Sequence, residues 1–349
     1  MNSKNLFCLS LILLLAIASC KKNDTSPQKH EKKEVDVYVA GYITAGANTS
    51  YACYWKNSVL NKLDHETSNS QAKAIAVNGN DVYVAGFIAE KNDRQAAAYW
   101  KNGVFTKLPD NLSGSVANAI AVNGNDVYVA GYINSNSVKT AVYWKNGIAV
   151  NLPDNLMGSA VNSIVLNGND VYMAGYIITA GNKYNVAYWK NGIATNLGDK
   201  SPYYSGATAM AVSGTDIYVA GYIGNDAFYW KNGTAAKLTE TQFVAFSANA
   251  LTIKGNDVYV AGCTRNDNGY PIAIYWKNGA PVRVPNSILI SEEINALSIS
   301  EAYGIAVNDT DVYVTGYNVS YQAAYWKNGV TAELGYGNSR GYAIVLVPR

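Results

Sequence analysis

The sequence predicts an all-β fold, a seven-bladed β-propeller with four antiparallel strands per blade, and three observations carry that reading. One pair of phrases occurs seven times: Asp-x-Tyr-x-x-Gly, as in Asp126-Val127-Tyr128-Val129-Ala130-Gly131, then Tyr-Trp-Lys-Asn, as in Tyr143-Trp144-Lys145-Asn146. The opening residues Asp36, Asp81, Asp126, Asp170, Asp216, Asp257 and Asp311 are spaced by 45, 45, 44, 46, 41 and 54 residues. Repetition at such a period signals a solenoid or a propeller. The chain ends decide between the two. No strand precedes Asp36 in the first unit, whereas Tyr342-Ala343-Ile344-Val345-Leu346 follows the last unit and matches the missing strand. That segment closes the ring by completing the first blade.

Composition agrees with one repetitive domain over residues 35–349. Charged residues are 15% of the chain, against about 25% in an average soluble protein, which suits short strands buried on both faces. The formal charge is +2, and the leading segment supplies the excess. From residue 35 onward, 21 basic residues face 22 acidic ones, and no Lys/Arg cluster is present. The electrostatic footprint of a nucleic-acid partner is therefore missing.

Taken in order, residues 1–19 carry Lys4 and the apolar run Leu6 to Ile17, the layout of a secretory signal. The following Ile17-Ala18-Ser19-Cys20 resembles the lipobox of bacterial lipoproteins. The resemblance implies cleavage before Cys20, with acyl chains on its sulfur and its new amino group. An ordinary signal peptide or a short N-terminal anchor with an incidental Cys is the alternative. Several acyl chains would anchor stably, because each buried methylene contributes about 0.8 kcal/mol. Residues 20–34 then read as the lipidated Cys and a polar tether with nothing apolar to bury. Lys21 after the Cys resembles outer-membrane sorting in Gram-negative bacteria. The expected location is thus the bacterial cell envelope, lipid-anchored at the outer membrane, with the side open.

Each unit then divides into strands a to d. In the third, strand a is Asn118–Val122, strand b Asp126–Ile133, strand c Thr140–Trp144 and strand d Ile148–Leu152. Alternating β-branched and aromatic residues bounded by Asn-Gly are hairpin signals. Antiparallel strands put the short, uniform a–b and c–d turns on one face. The b–c and d–a connections, which vary in length and content, share the other. Function tends to sit on variable loops over a rigid scaffold.

The run Ala-x-Tyr-Trp-Lys-Asn-Gly with a trailing Leu, or Leu-Gly at Leu197-Gly198 and Leu334-Gly335, resembles the HAF-type extracellular repeat of secreted bacterial proteins. It is also similar to the blade pattern of kelch propellers, although Ala-Gly stands where kelch has Gly-Gly. WD40's Gly-His and Trp-Asp are missing. The resemblance implies fold and location and carries no activity over.

The candidate chemistry is sparse. The seven repeat Asp residues fall beside Lys and Asn of the c–d turn, which favours a structural pairing over catalysis. All seven Trp residues lie inside the repeat and read as packing between blades. His30 and His65 are the only histidines, so neither a His-based metal site nor a Ser-His-Asp set is expected. Cys53 and Cys263 fall on blades that are not neighbours and read as unpaired apolar residues. No cofactor or metal is expected.

The candidate binding residues are therefore those of the variable loops: Arg94, Tyr184, Tyr203, Tyr204, Arg265, Asp267, Tyr270, Tyr303 and Tyr321. Tyr pairs an apolar ring with a hydroxyl and suits protein or glycan contact. The stretch from Pro285 to Tyr303 is the longest departure from the repeat and reads as a packed loop, a short helix or a partner-binding flap. The reading these observations favour is a membrane-anchored, non-enzymatic monomer that binds a protein or glycan partner through one face. The alternative is a glycan lyase or hydrolase with two acids converging at the channel, for which Asp226, Asp267, Glu292 and Glu293 are the non-repeat candidates.

Overall fold

The computed structural model describes residues 34–46, 49–63, 69–110, 114–152, 157–198, 204–240, 244–265, 269–284, 300–335 and 337–349. They form seven four-stranded antiparallel sheets. The first blade takes its innermost strand from the C-terminus: Ser339–Pro348 pairs antiparallel with Val35–Thr44. Arg349 locks this seam, its Nε 2.6 Å from Asp36 Oδ1 and its Nη1 2.9 Å from Glu34 Oε2. The strand expected at the C-terminus is thus the closing strand.

The remaining strands a are Ser70–Asn78, Ser115–Asn123, Gly158–Asn167, Ser205–Ser213, Val244–Lys254 and Glu301–Asn308, in blades 2 to 7. Each contacts the strand a of both neighbours, and the circuit returns from the C-terminal strand to Ser70–Asn78. These strands surround the axis, and the four-residue strands d form the outer edges.

Between consecutive blades lies one apolar core with one Trp. Trp144 of blade 3, for instance, packs with Tyr83, Ala85, Ala97 and Leu108 of blade 2. All seven Trp side chains are essentially inaccessible, and each should contribute a few kcal/mol through burial. Cys53 and Cys263 are both buried and free.

The repeat glycine has a steric cause. In every blade the strand a–strand b register shifts by one residue at the same level, leaving one residue of strand a bulged. The bulge drives the carbonyl two residues earlier toward strand b. A Cβ on Gly131 would lie 1.9 Å from Val116 O, and one on Gly316 would lie 1.7 Å from Glu301 O. Only glycine fits under that oxygen.

The repeat Asp, Lys and Asn form seven identical clusters at the opposite face. In blade 3, Lys145 Nζ lies 2.9 Å from Asp126 Oδ2, Asn146 Nδ2 donates to Asp126 Oδ1 at 2.8 Å, and Asn146 Oδ1 accepts from Val127 N at 2.8 Å. Asn146 adopts a φ of 51°, a left-handed conformation that Asn tolerates. The expected cross-strand pairing is present, and the Asn side chain adds the backbone satisfaction. The amide of Asn146, and then Lys145, hold the Asp126 carboxyl below its ordinary range.

Two predictions follow from these contacts. Gly131→Ala should cost about 3 kcal/mol or more in urea denaturation, because neither backbone can retreat. Gly147→Ala, at φ 81° with nothing within 4 Å, should cost only about 1 kcal/mol. A carboxyl held low binds fewer protons folded than unfolded. The Asp clusters therefore stabilise fully at neutral pH, and that contribution is lost as pH falls through and below about 4. Thermal melts from pH 7 to 2 should show this fall, with a shallower slope in Asp126→Asn.

Candidate functional site

The bulged residues make a tier around the axis: Tyr342, Lys73, Asn118, Asn162, Thr208, Asn249 and Tyr303 in blades 1 to 7. Four of them stitch the inner strands together. Asn118 Nδ2 donates to Val161 O at 2.9 Å, Asn162 Nδ2 to Ala207 O at 2.8 Å, and Asn249 Nδ2 to Ala302 O at 2.8 Å. Thr208 Oγ1 donates likewise to Ala248 O. Blades 7, 1 and 2 depart from this pattern by carrying Tyr303, Tyr342 and Lys73.

One level nearer the b–c and d–a loops, strand a carries Arg340, Gln71, Val116, Ala160, Gly206, Ser247 and Glu301 in blades 1 to 7. Their strand b partners are Tyr42, Phe87, Tyr132, Tyr176, Tyr222, Cys263 and Tyr317. Aromatic residues therefore occupy six of the seven strand b positions at this level. The two charges of the level, Glu301 and Arg340, stand on adjacent blades directly beside the exceptional bulges.

The sector is tightly connected. Tyr342 packs against Tyr42 and Tyr303 with ring centroids 5.8 and 5.1 Å away. Tyr303 packs against Tyr317 at 6.1 Å, and Tyr321 stacks on Tyr317 at 5.9 Å with planes 9° apart. Arg340 lies over Tyr317 at 4.6 Å and donates from Nη1 to the Tyr303 hydroxyl at 3.0 Å. Tyr303 in turn donates to Glu301 Oε2. Lys73 Nζ sits 3.9 Å from the Tyr342 centroid.

Burial raises the hydroxyl pKa values of Tyr303, Tyr317 and Tyr342, with Glu301 adding to the first two and Tyr42 to the third. These hydroxyls stay protonated and can donate. Burial and then the Arg340 charge push Lys73 down to about 8. Among the described residues no carboxylate pairs with Lys73.

The sequence-predicted residues distribute unevenly. Tyr303 and Tyr321 belong to this sector. Tyr184 and Tyr204 form a second aromatic group with Tyr176 in blades 4 and 5, the centroids being 5.4 Å apart for Tyr176–Tyr184 and 4.6 Å for Tyr184–Tyr204. Tyr204 is 69% exposed, and burial raises Tyr176 to about 12. Arg265 lies over Phe246 at 3.5 Å, and Tyr270 is partly exposed nearby in sequence.

Arg94 is committed to a local clamp, its Nη1 2.8 Å from buried Asp110 and its Nη2 on Glu90, which also holds Lys107. That clamp borders a 630 Å³ groove lined by Ile88 and Phe105. Asp226 pairs with Lys237 at 2.8 Å. Cys20, Tyr203, Asp267, Glu292, Glu293 and nearly all of 285–303 lie outside the described residues. Among the described residues, no group of three His, Cys, Asp or Glu is placed to hold a metal ion.

Sequence reasoning missed Tyr42, Lys73, Glu301, Tyr317, Arg340 and Tyr342, all of which lie inside repeat strands. The usable signal was the small-x-small triplet, as in Ala117-Asn118-Ala119 and Ala207-Thr208-Ala209. Aligned across blades, it singles out Lys73, Tyr303 and Tyr342.

No protein-family model matches this chain, and no curated protein matches it in sequence. Among solved structures it is similar to the β-propeller domain of the Trilobed protease from Pyrococcus furiosus, at 11% identity and a TM-score of 0.49. That similarity covers 88% of this chain and 96% of the other. That domain is described as having an open velcro topology. The sheets themselves define the class: this chain is a closed seven-bladed β-propeller.

The folded pKa of Lys73 lies below the unfolded value near 10.4, so at this residue the unfolded chain binds more protons between about 8 and 10. The cost of burying the Lys73 charge should therefore shrink across that interval. Lys73→Met should stabilise the protein by about 1 kcal/mol at pH 7, and that advantage over the parent should shrink toward pH 10, both readable from paired urea midpoints at pH 7, 8, 9 and 10.

Proposed function

We propose that this chain is a lipid-anchored, non-enzymatic β-propeller of the bacterial envelope that binds a protein or glycan partner through its b–c and d–a face. The observation that carries the reading is the sector of Tyr42, Lys73, Glu301, Tyr303, Tyr317, Arg340 and Tyr342. There the repeat abandons its self-satisfying residues for charged and aromatic ones. The opposite face supports the reading by contrast, since its Asp, Lys and Asn groups satisfy one another in every blade. Tyrosine rings with protonated hydroxyls suit ligands that present both flat apolar faces and polar edges. The lipobox-like Ile17-Ala18-Ser19-Cys20 and the polar residues that follow support the anchor.

The test uses the full-length protein. It should fractionate with membranes and move to the soluble fraction in Cys20→Ser. Purified in detergent, it should take a specific ligand from an array of bacterial and host glycans or from an envelope extract. Tyr321→Ala should weaken that binding about tenfold, as loss of an exposed stacking ring costs on the order of 1–2 kcal/mol. Binding unchanged by Tyr321→Ala and by Tyr303→Phe would displace the site from this face. A glycan returned shortened would make the chain an enzyme.

A further inference from the structure

Resting on the binding reading above, we propose that the mouth sector of blades 7, 1 and 2 is a subsite for the carboxylate of an acidic sugar, a uronic acid residue. Lys73 and Arg340 would grip that anion.

The first ground is charge. Lys73 and Arg340 come from adjacent blades and act on each other electrostatically. Lys73 Nζ and the Arg340 guanidinium rest on the rings of Tyr342 and Tyr317. Ring faces compensate part of a cation's lost hydration, but they accept no N–H hydrogen bond of anionic strength, and among the described residues neither cation pairs directly with a carboxylate. Glu301 does not fill that need directly, because it accepts from Tyr303, and Arg340 reaches that pair only through the Tyr303 hydroxyl. Arg340 to Tyr303 to Glu301 is a relay that fixes the guanidinium and leaves further donors on it. A held guanidinium beside a second cation is a pre-organised carboxylate receptor.

The second ground is the repeat itself. In blades 3 to 6 the bulged side chain is Asn or Thr and spends its donor on the next blade. A purely structural tier would repeat that residue seven times. Two like charges in one half-buried sector oppose folding, and a cost localised where the repeat breaks marks function.

The third ground selects a sugar over a protein side chain. The two cations rest among the packed rings of Tyr42, Tyr303, Tyr317 and Tyr342. A uronic acid residue offers an apolar ring face to tyrosine and a carboxylate to the two cations. An acidic peptide would bring backbone amides among those rings.

Calorimetry on the full-length protein in detergent tests this with a uronic acid trisaccharide and its carboxyl-reduced counterpart as probes. The acidic probe should bind at least about tenfold more tightly than the neutral one, the size of one charge-assisted hydrogen bond. Lys73→Met and Arg340→Gln should each remove most of that preference, and Lys73→Met is expected to fold at least as well as the parent. Binding should weaken as salt is raised from 50 to 500 mM. Equal affinity for the two probes, or a preference untouched by both substitutions, would overturn the subsite. If a neutral glycan or an envelope protein binds and is lost in Tyr321→Ala but not in Lys73→Met, the binding module stands and the uronate subsite falls. If neither probe, no glycan and no envelope protein binds, both fall.

Discussion

The fold depends on one close approach, the bulged inner strand pressing a carbonyl onto the repeat glycine. The bulge places an unpaired residue of strand a on the axis side at the same height in all seven blades. It can exist only where the facing residue has no side chain, since a Cβ there would lie about 2 Å from backbone oxygen. The same geometry that strains the ladder supplies the protein with seven equivalent positions aimed at a common centre. Four of these hold the ring together and three have been given different chemistry.

The two faces divide the work accordingly. On the a–b and c–d side, each Asp binds the Lys and Asn at the c–d turn of its own blade, so the polar groups are neutralised locally and offer little to a partner. Such exposed pairs contribute modestly and are screened by salt. Their value lies in fixing the Lys-Asn turn and the start of strand b. Among the described residues the opposite side has no cluster repeated in every blade, although Arg94, Glu90, Asp110 and Lys107 close one clamp within blade 2. In the sector of blades 7, 1 and 2 the polar groups meet across blades, in a relay from Arg340 to Tyr303 to Glu301 and in tyrosine contacts that bridge blades 7 and 1. Interactions that span blades bring chemistry from distant parts of the chain into one place, which turns a scaffold into a site.

Between the blades the tryptophans do the heavy packing, and their uniform burial explains why the loops rely on tyrosine for aromatic surface. The second tyrosine group, Tyr176, Tyr184 and Tyr204, lies on blades 4 and 5. Its exposed member, Tyr204, offers a stacking surface away from the charged sector.

The sequence by itself determined the blade count, the strand order, the closing role of Tyr342–Leu346, the burial of Trp and the pairing of Asp with Lys. Each is local or strictly periodic, so a pattern of adjacent residues carries it. Of the candidate site, only two tyrosines were legible, because departure from the repeat was the visible sign. Tyr321 was found that way as a loop residue, whereas Tyr303, read as the end of the variable stretch, lies within strand a of blade 7. Lys73, Arg340 and Tyr342 were hidden, since they sit within repeat strands and Lys73 lies 267 residues from Arg340 in the chain. Only the tertiary structure decided that they meet. Ring closure joins the C-terminal strand to the first blade and brings Arg340 beside the bulges at Lys73 and Tyr342.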